Sequence, residues 1–264
     1  MERATRERFL QDYATIRHAE GRGSGDPAYY RALPFRDLSG RNAAQWEIRS
    51  RSFRKLESDV LPVFERRAGR PLRILDLGAG TGWLAWRLQM RGHKAIAVDI
   101  FTDELDGLGA ARNFPERPST VAAEFDSLPF ADGSIDIAIF NSSLHYSADY
   151  RRTLREAQRV LGPSGAVVIV DSPVYAHAEH GETMRRERQV FFERTYGFRS
   201  EALGSIEYLD EETLAMLSSE LGIEWQRTQP WYGWKWAWRP WRARLRRQRP
   251  PSRFLILTGR FRSR

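Results

Sequence analysis

Residues 74–83 read ILDLGAGTGW. In this segment a short apolar run with one aspartate is followed by three glycines at every second position. Ile74 and Leu75 lead into Asp76, and an amphipathic stretch begins at Trp83. This order predicts a buried strand, a tight turn and the start of a helix. Glycine suits such a turn because it tolerates positive φ and lets a ligand lie against bare backbone. The motif therefore indicates a site for a nucleoside-containing ligand.

The spacing of the glycines argues against two kinds of phosphate site. Gly78, Gly80 and Gly82 read G-x-G-x-G, whereas a dinucleotide site reads G-x-G-x-x-G. Trp83 stands where the third dinucleotide glycine would permit close helix packing. No Gly-Lys-Ser/Thr follows the turn, so the P-loop of nucleotide triphosphatases is absent as well.

Residues 73–172 resemble the S-adenosylmethionine (SAM)-dependent methyltransferases of the seven-stranded Rossmann-like type. They are most similar to the small-molecule branch that includes the ubiquinone and menaquinone methyltransferases. Four segments carry the resemblance in order: ILDLGAGTG, AIAVDI, AAEFDSLPFADGSIDIAIFNSSLHY and REAQRVLGPSGAVVIVD. The last segment departs from the family pattern by carrying Ser164 where glycine is usual. The resemblance implies SAM as the cofactor.

The resemblance also implies which residues hold that cofactor. Asp76 would order the loop and face the ammonium of the methionine part. Asp99 would end the second strand, where a carboxylate can accept from both ribose hydroxyls. Glu124 would lie on the adenine side, and Asn141 would face the methionine portion. The alternative for each acid is a solvated residue at a strand end. The full set is Asp76, Gly78, Ala79, Gly80, Gly82, Asp99, Ile100, Glu124, Phe125 and Asn141.

His145 and Tyr146 are the candidate catalytic residues on the acceptor side. Because the sulfonium activates its own methyl group, the protein must mainly orient the acceptor and exclude water. A base is needed only if the acceptor loses a proton, and a histidine with a near-neutral pKa suits that role. The alternative is that His145 only packs the loop. Asp171 and Tyr175 are weaker candidates for the acceptor wall.

Several methylation chemistries are excluded. The chain has no cysteine, which rules out cytosine C5 methylation and a cysteine relay for arsenite. Asn141 begins Asn-Ser-Ser-Leu rather than the Asn-Pro-Pro-aromatic motif of amino-base methylation. Metal-dependent catechol-type enzymes need clustered acids, and Asp171 alone is no cluster, so we expect no metal. His177 and His180 are more typical of a solvated loop than of a metal pair.

From residue 73 onward, strands and helices alternate. Such alternation predicts parallel βαβ units in an α/β, doubly wound, Rossmann-like sheet. The last two strands should form an antiparallel pair, so we expect about seven strands, mostly parallel, with one antiparallel edge strand. The predicted strands are 73–77, 94–99, 119–124, 135–141, 166–171, 223–229 and 254–261. The predicted helices are 82–91, 103–112, 149–161, 182–196 and 211–221.

The domain organisation follows from the same pattern. Residues 1–72 should form a helical N-terminal cap, and residues 73–264 the methyltransferase domain. Within that domain, 172–210 is an acceptor-side insert, and 231–252 is a Trp/Arg-rich insert between the last two strands. Pro62 should kink the helix predicted over 42–67. Tyr29, Tyr30, Trp46 and Arg49 are candidates for a pocket wall, or they only pack the cap.

Positive charge is concentrated near the end of the sequence. The net charge is +8, yet residues 225–264 hold 12 basic and no acidic residues, which leaves 30 basic against 34 acidic residues elsewhere. Residues 231–252 also hold five of the nine tryptophans. Tryptophan with arginine suits an anionic membrane surface or single-stranded nucleic acid. A third alternative is that the indoles pack on the sheet edge beneath the arginine side chains.

The sequence therefore predicts methyl transfer from SAM to a lipid-like, quinone-like or secondary-metabolite acceptor. Alternatives are an RNA- or protein-directed methyltransferase that docks through the basic segment, and a SAM-binding partner subunit without catalysis. Nucleic acid is the less favoured partner. No run of 18 apolar residues and no apolar signal core are present, so we expect a cytoplasmic protein, peripheral at the membrane through 231–252.

Overall fold

The computed structural model describes residues 3–199 and 204–262, and a seven-stranded sheet organises them. The strands are β1 (Arg73–Leu77), β2 (Lys94–Asp99), β3 (Ser119–Ala122), β4 (Ile135–Asn141), β5 (Leu161–Val170), β6 (Pro173–Tyr175), β7 (Leu209–Asp210), β8 (Ile223–Thr228), β9 (Arg253–Phe254) and β10 (Ile256–Phe261). The helices are α1 (Arg3–Ala19), α2 (Pro27–Ala32), α3 (Ala43–Lys55), α4 (Leu61–Ala68), α5 (Trp83–Met90), α6 (Tyr150–Val160), α7 (Ala178–Tyr196), α8 (Glu211–Leu221), α9 (Trp234–Ala237) and α10 (Arg239–Leu245).

The strand order in the large sheet is β3-β2-β1-β4-β5-β10-β8. The first five strands in this order, β3, β2, β1, β4 and β5, are parallel to one another. Strand β10 runs antiparallel to its two neighbours, β5 and β8. This confirms the predicted seven-stranded Rossmann-like architecture and the antiparallel pairing of the last two strands. The order reverses between β1 and β4, and in such sheets ligands bind beyond the carboxyl ends of the strands at this point.

Alternating side chains in the strands build an apolar layer on each face of the sheet. In β1, Ile74 packs into the cluster that includes residues of α2 to α5. Its neighbours Leu75 and Leu77 pack into the opposite cluster with α6 and α8. Since parallel strands are covered by helices on both faces, their apolar runs are nearly continuous. The sheet thus rigidly positions its carboxyl edge.

The N-terminal helices pack directly on the sheet layer. Trp46 and Phe53 of α3 contact the ring of Trp83 in α5, with centroids 5.9 and 5.6 Å away. Near Pro62 the chain forms a π-helical turn at Leu56–Val60 before α4 begins, in line with the expected local disruption. The division into a cap at 1–72 and a domain at 73–264 stays a prediction.

One predicted helix is wrong. Over 103–112 the structure has turns and a short 3-10 helix at Leu108–Asn113. The Asp103 carboxylate accepts from the backbone N–H groups of Leu105 and Asp106, 2.8 and 2.9 Å away, so it caps a turn instead. Side chain-to-backbone bonds of this kind compete with helix formation. The predicted strand 119–124 also ends earlier, at residue 122.

The two predicted inserts have structure of their own. Within 172–210 lie β6, α7 and β7, and β6 pairs with both β7 and β9 in a small second sheet. Residues 200–203 of this insert lie outside the described residues. Within 231–252 lie α9 and α10. In residues 3–199 and 204–262, no helix combines the length and the apolar character needed to cross a membrane.

Candidate active site

The glycine turn lies at the carboxyl end of β1, as the motif predicts. The backbone N–H groups of Gly78 and Ala79 donate to the carbonyl of Val98 in β2, at 2.8 and 3.1 Å. Gly78 has φ of 75°, and a Cβ there would lie 2.3 Å from the Cβ of Ser143. A side chain at Gly78 would therefore be strained and would push the loop after β4 away from the turn.

Asp99 ends β2 and ties two loops together. Its Oδ2 accepts from the N–H of Gly80 at 2.8 Å, and its Oδ1 accepts from the N–H of Phe101 at 2.9 Å. Burial raises the pKa of this carboxyl, although these backbone donors oppose the shift. Each oxygen keeps a lone pair for a ligand hydroxyl.

Asp76 is enclosed behind the turn, with 1% of its surface exposed. One oxygen, Oδ2, accepts from the N–H of Ala85 in α5 at 3.3 Å, while Oδ1 is buried without a partner among the described residues. Burial, with a smaller contribution from Asp99, raises the pKa of Asp76 to about 7. An unpartnered buried carboxylate oxygen is costly unless a donor or a cation reaches it.

A cavity of about 370 Å³ opens at this edge. Half of the ten predicted cofactor residues line it: Gly78, Asp99, Ile100, Glu124 and Phe125. The other five do not line it. Asp76 belongs to β1, Ala79 and Gly80 to the turn, Gly82 caps the start of α5, and Asn141 ends β4. The two serines after Asn141 line the cavity in its place. We call this space the cofactor cavity.

Helix α1 supplies a wall of the cofactor cavity that the sequence interpretation missed. Thr5, Phe9 and Tyr13 line it from one face of the helix. The spacing i, i+4, i+8 was the available signal, because such residues share a helix face. One polar and two aromatic residues do not distinguish a cavity wall from a face that packs on a neighbouring helix.

A second cavity, of about 300 Å³, adjoins the first. Tyr13, Ser142 and Tyr146 line both cavities, so the two spaces meet at these side chains. The predicted catalytic residues His145 and Tyr146 both line this second cavity. Residues of α3 and of the 172–210 insert also contribute, as expected for a pocket on the acceptor side. We call it the acceptor cavity.

His145 is buried in the wall of the acceptor cavity. Its Nδ1 lies 3.4 Å from the hydroxyl oxygen of Ser172, and its ring packs against Tyr146 with centroids 4.5 Å apart. Burial, with the positive charges of Arg188 and Arg49, lowers the pKa of His145 to about 3. The imidazole is therefore neutral at physiological pH and a weak base.

Asp171, directly after β5, also lines the acceptor cavity. Its φ is 52°, and Ser142 at the end of β4 has φ of 57°. Positive φ is uncommon outside glycine and concentrates at functional sites. The Asp171 Oδ1 accepts from Ser52, whose hydroxyl lies 2.8 Å from that of Tyr232. Oδ2 is buried without a partner among the described residues, and burial raises the pKa of the carboxyl.

Most other candidates from the sequence lie away from the acceptor cavity. Arg49 lines it, whereas Tyr29, Tyr30 and Trp46 are buried in the apolar core. The hydroxyl oxygen of Tyr175 accepts a hydrogen bond from Nη1 of Arg249, at 3.1 Å. The rings of His177 and His180 lie 5.6 Å apart, and the described part of the chain has no group of three or more residues that could hold a metal.

The residues of the cofactor cavity fit SAM. The carboxylate of Asp99 in the cavity wall can accept from ribose hydroxyls, and Asp76, enclosed behind that wall, adds a second carboxylate on this side of the turn. The bare backbone at Gly78 leaves room for the ligand to approach. Phe125, which packs edge-on against Phe140 at 5.5 Å, offers an aromatic surface to a base.

Comparison with known proteins agrees with this assignment. Residues 75–169 match the methyltransferase domain family. The chain is 36% identical over 118 residues to malonyl-[acyl-carrier protein] O-methyltransferase of Halorhodospira halophila, covering 44% of this chain and 40% of that one. It is 32% identical over 160 residues to demethylmenaquinone methyltransferase of Thermus thermophilus, covering 57% of this chain and 70% of that one.

A solved structure shows the same fold. The SAM-dependent methyltransferase of Mesorhizobium loti superposes with a TM-score of 0.52 at 19% identity, covering 72% of this chain and 91% of that one. The match with the malonyl relative spans only about two fifths of that protein's length. The likeness therefore concerns mainly the sheet and the cofactor cavity.

Proposed function

Because this chain belongs to the SAM-dependent methyltransferase family, we propose that it transfers a methyl group to a small molecule bound in the acceptor cavity. The observation that carries the proposal is the junction of the two cavities at Tyr13, Ser142 and Tyr146. A methyl donor on one side of this junction can meet an acceptor on the other without either leaving its site.

The mechanism rests mainly on position. When bound, SAM supplies an activated methyl group on its sulfonium. Asp99 accepts from the ribose hydroxyls, and the negative charge of Asp76 behind the glycine turn attracts the ammonium of the methionine part. Tyr13 and Tyr146 narrow the junction and exclude water from it. Holding both reactants in line at such a junction supplies much of the rate acceleration.

For acceptors that must lose a proton, we propose Asp171 as the base. A free Oδ2 in the cavity wall and a pKa raised by burial place its proton affinity above that of an exposed carboxylate. A base is most effective when its pKa approaches the working pH. His145, with a pKa of about 3, is the weaker base and serves as a neutral hydrogen-bonding group in the wall.

The acceptor is proposed to be a small molecule because the acceptor cavity is enclosed by α1, α3 and α7. These helices contribute Ile16, Ile48 and Phe192 to its wall. The two relatives are named for malonyl-[acyl-carrier protein] and for demethylmenaquinone, which supports an acyl group or a quinone ring as the group that enters the cavity.

Calorimetry of SAM binding tests the donor side. Asp99→Ala removes the ribose partner and the anchor of Gly80, so we expect at least about a hundredfold loss of affinity, the scale of two charge-assisted hydrogen bonds. Asp132→Ala, at an exposed aspartate outside both cavities, is the matched control and should bind as the parent does. Equal affinity of Asp99→Ala and the parent would remove the cofactor assignment.

We also propose that residues 231–252 hold the enzyme at an anionic membrane surface. Helices α9 and α10 follow each other almost without a break over 234–245. Trp234, Trp238, Trp241 and Leu245 recur at i, i+4, i+7 and i+11, which places them on one helix face. Their exposed fractions are 74%, 59%, 67% and 88%. This row of side chains, the tryptophan stripe, is free to enter a membrane interface.

Cations border the tryptophan stripe. Their side chains have no ion pair among the described residues, and the set comprises Lys235, Arg242, Arg244, Arg246 and Arg247. An interfacial helix combines indoles on one face with basic residues that pair with anionic head groups. Leu245, the most exposed member of the stripe, can enter a membrane interface but has no ring on which a base could stack, so the membrane is favoured over RNA.

The opposite face of the same helix anchors it to the body of the protein. Trp236 packs on Tyr232 and Phe254, with centroids 5.0 and 5.4 Å away. Phe254 in turn lines the acceptor cavity. The proposed membrane contact and the acceptor cavity are thus separated by one aromatic layer, which suits an acceptor that arrives from the membrane surface.

A further inference from the structure

Arginine dominates the polar wall of the acceptor cavity. Arg17, Arg22, Arg49 and Arg188 line it, against two carboxylates, Glu20 and Asp171. The cavity is therefore richer in positive than in negative charge. Since protein interiors seldom hold an unpaired charge, each of these arginines needs a partner, either within the protein or in a bound ligand.

Ion pairs account for three of these arginines. Arg17 pairs with Asp106, Arg22 with Glu20, and Arg188 with Glu207. Each of these guanidinium groups already has a carboxylate to balance its charge. Arg49 is the arginine of this wall that has no ion pair among the described residues, and Asp171, the second carboxylate of the wall, attracts it only without direct contact.

Arg49 is that remaining cation. It has no hydrogen bond or ion pair among the described residues, and its guanidinium lies 4.8 Å from the ring centre of Trp46. Burial, with the neighbouring charges of Arg22 and Arg17, lowers the pKa of Arg49 to about 10. The charge of Asp171 opposes this shift without cancelling it, so the group stays charged at neutral pH and would attract an anion in the cavity.

A second unsatisfied donor belongs to Arg22, which also lines the acceptor cavity. The Nη1 of Arg22 is buried without a partner among the described residues, while its other two nitrogens bind Glu20 and Gln45. A buried donor with nothing to donate to costs free energy that a ligand acceptor would recover. Arg49 of α3 and Arg22 in the turn after α1 therefore both contribute hydrogen-bond donors to this wall.

We propose that the methyl acceptor carries a carboxylate, which binds Arg49 and the free Nη1 of Arg22. This inference rests on the proposed methyl transfer and adds the chemical class of the acceptor. A planar guanidinium matches a carboxylate with two parallel hydrogen bonds. Apolar side chains complete the wall, namely Ile16, Ile48, Phe192 and Phe254. The acceptor is thus an acid with an apolar or aromatic body.

The acceptor is favoured over the carboxylate of SAM itself as the anion. Arg22 and Arg49 line the acceptor cavity and are absent from the lining of the cofactor cavity. Binding of the cofactor and of the acid should therefore respond to different substitutions.

The test uses the protein saturated with S-adenosylhomocysteine and two probes of the same shape, benzoate and benzamide. Calorimetry should show benzoate binding at least about tenfold more tightly, because a charge-assisted hydrogen bond contributes more than a neutral one. Arg49→Gln should abolish this preference, and Arg49→Lys, which keeps the charge without the planar fork, should retain part of it. Arg54→Gln, at an exposed position of the same helix, should leave it unchanged.

Three results would overturn the inference. They are no benzoate binding up to its solubility, equal binding of the two probes, and an unaltered preference in Arg49→Gln. If Arg49→Gln instead weakens S-adenosylhomocysteine binding, its guanidinium serves the carboxylate of the cofactor, which also defeats the proposal. In the first three cases cofactor binding and methyl transfer could persist, so the proposed function would stand without the carboxylate.

Discussion

At the glycine turn, the carboxylates of Asp99 and Asp76 differ in how many of their oxygens already accept a hydrogen bond. Both oxygens of Asp99 accept from backbone N–H groups, so this residue shapes the loops as well as facing the cofactor cavity. In Asp76, Oδ2 accepts from the N–H of Ala85 in α5, and Oδ1 has no partner among the described residues. Burial without full compensation is the reason that the pKa of Asp76 rises to about 7.

The raised pKa of Asp76 predicts pH-dependent binding of SAM. The ammonium of SAM favours the ionised carboxylate, so binding lowers this pKa and releases a proton. The affinity should therefore fall as the pH drops below about 7, approaching tenfold per pH unit. Calorimetry between about pH 5 and pH 7, where an α-amino group stays protonated, measures this slope.

Asp76→Asn is the control for that slope. It keeps an oxygen for the N–H of Ala85 but cannot ionise. Its affinity should be about tenfold lower than that of the parent at pH 7, the scale of a charge-assisted bond, and nearly flat with pH. A slope that survives in Asp76→Asn would assign the titration to another group, such as Asp99.

Asp171→Asn tests the proposed base. Asparagine tolerates positive φ, so the variant can keep the backbone at this position. We expect kcat to fall by about a hundredfold or more, the range of general base catalysis, and SAM affinity to stay unchanged. In the parent, kcat should rise with pH through the raised pKa of Asp171, since the ionised form takes the proton.

The pH profile separates this catalytic role from a structural one. Loss of the rising limb in Asp171→Asn, while the limb remains in His145→Gln, would identify Asp171 as the titrating base. A normal limb in Asp171→Asn, together with a lower melting temperature, would instead assign Asp171 to the hydrogen-bond chain with Ser52 and Tyr232.

At the scale of elements, sequence patterns predict the sheet better than the walls of the site. The bounds of β1, β2 and β4 follow from the sequence because their apolar runs are buried on both faces. The helix expected over 103–112 is absent because Asp103 and two glycines favour a turn. Local chemistry there outweighs the residues that would favour a helix.

The contribution of α1 shows a different limit of prediction. Its helical character is evident from the sequence, but the surface that it covers depends on tertiary packing. Phe9 and Tyr13 stack on each other and approach Tyr146 across the site, at 6.5 and 5.9 Å. Phe9 and Tyr13 are far from Tyr146 in the sequence, so no local sequence pattern predicts these contacts. The wall that the two cavities share is therefore known only from the tertiary structure.

The tryptophan stripe predicts binding to anionic vesicles. Vesicles with phosphatidylserine should carry the protein upward in a flotation gradient, and vesicles of phosphatidylcholine alone should carry much less. Replacing Trp234, Trp238 and Trp241 by serine should abolish flotation, since the indoles supply the buried apolar area. Phe191→Ser removes an equally exposed aromatic residue from α7 and is the matched control.

Salt dependence distinguishes the two parts of that contact. Raising the ionic strength should weaken the arginine contribution and leave the indole contribution in place. Flotation that the serine variants retain would mean that the stripe does not enter the membrane. Tight RNA binding with a steep salt dependence, in a protein that does not float, would favour the nucleic-acid partner instead.

At the scale of the whole molecule, the N-terminal helices and the sheet share one apolar core. Tyr30 of α2 contacts Phe114 beyond the 3-10 helix, with centroids 6.1 Å apart. Trp46 and Phe53 contact Trp83, which directly follows the glycine turn. These contacts join helix α3, which contributes to the wall of the acceptor cavity, to the glycine turn beside the cofactor cavity. Such shared packing predicts that residues 1–72 do not unfold separately from the rest.

Calorimetric unfolding tests this cohesion. We expect a single transition that S-adenosylhomocysteine shifts as a whole, with about 2.7 kcal/mol of added stability at a free concentration one hundred times its Kd. For a chain of this size that corresponds to a rise of roughly 5–10 °C in Tm. Asp99→Ala under the same conditions should show no rise. Two resolved transitions, of which the ligand moves only one, would mean that the helices at 1–72 form a separate cap and that the acceptor cavity lies between two independently stable units.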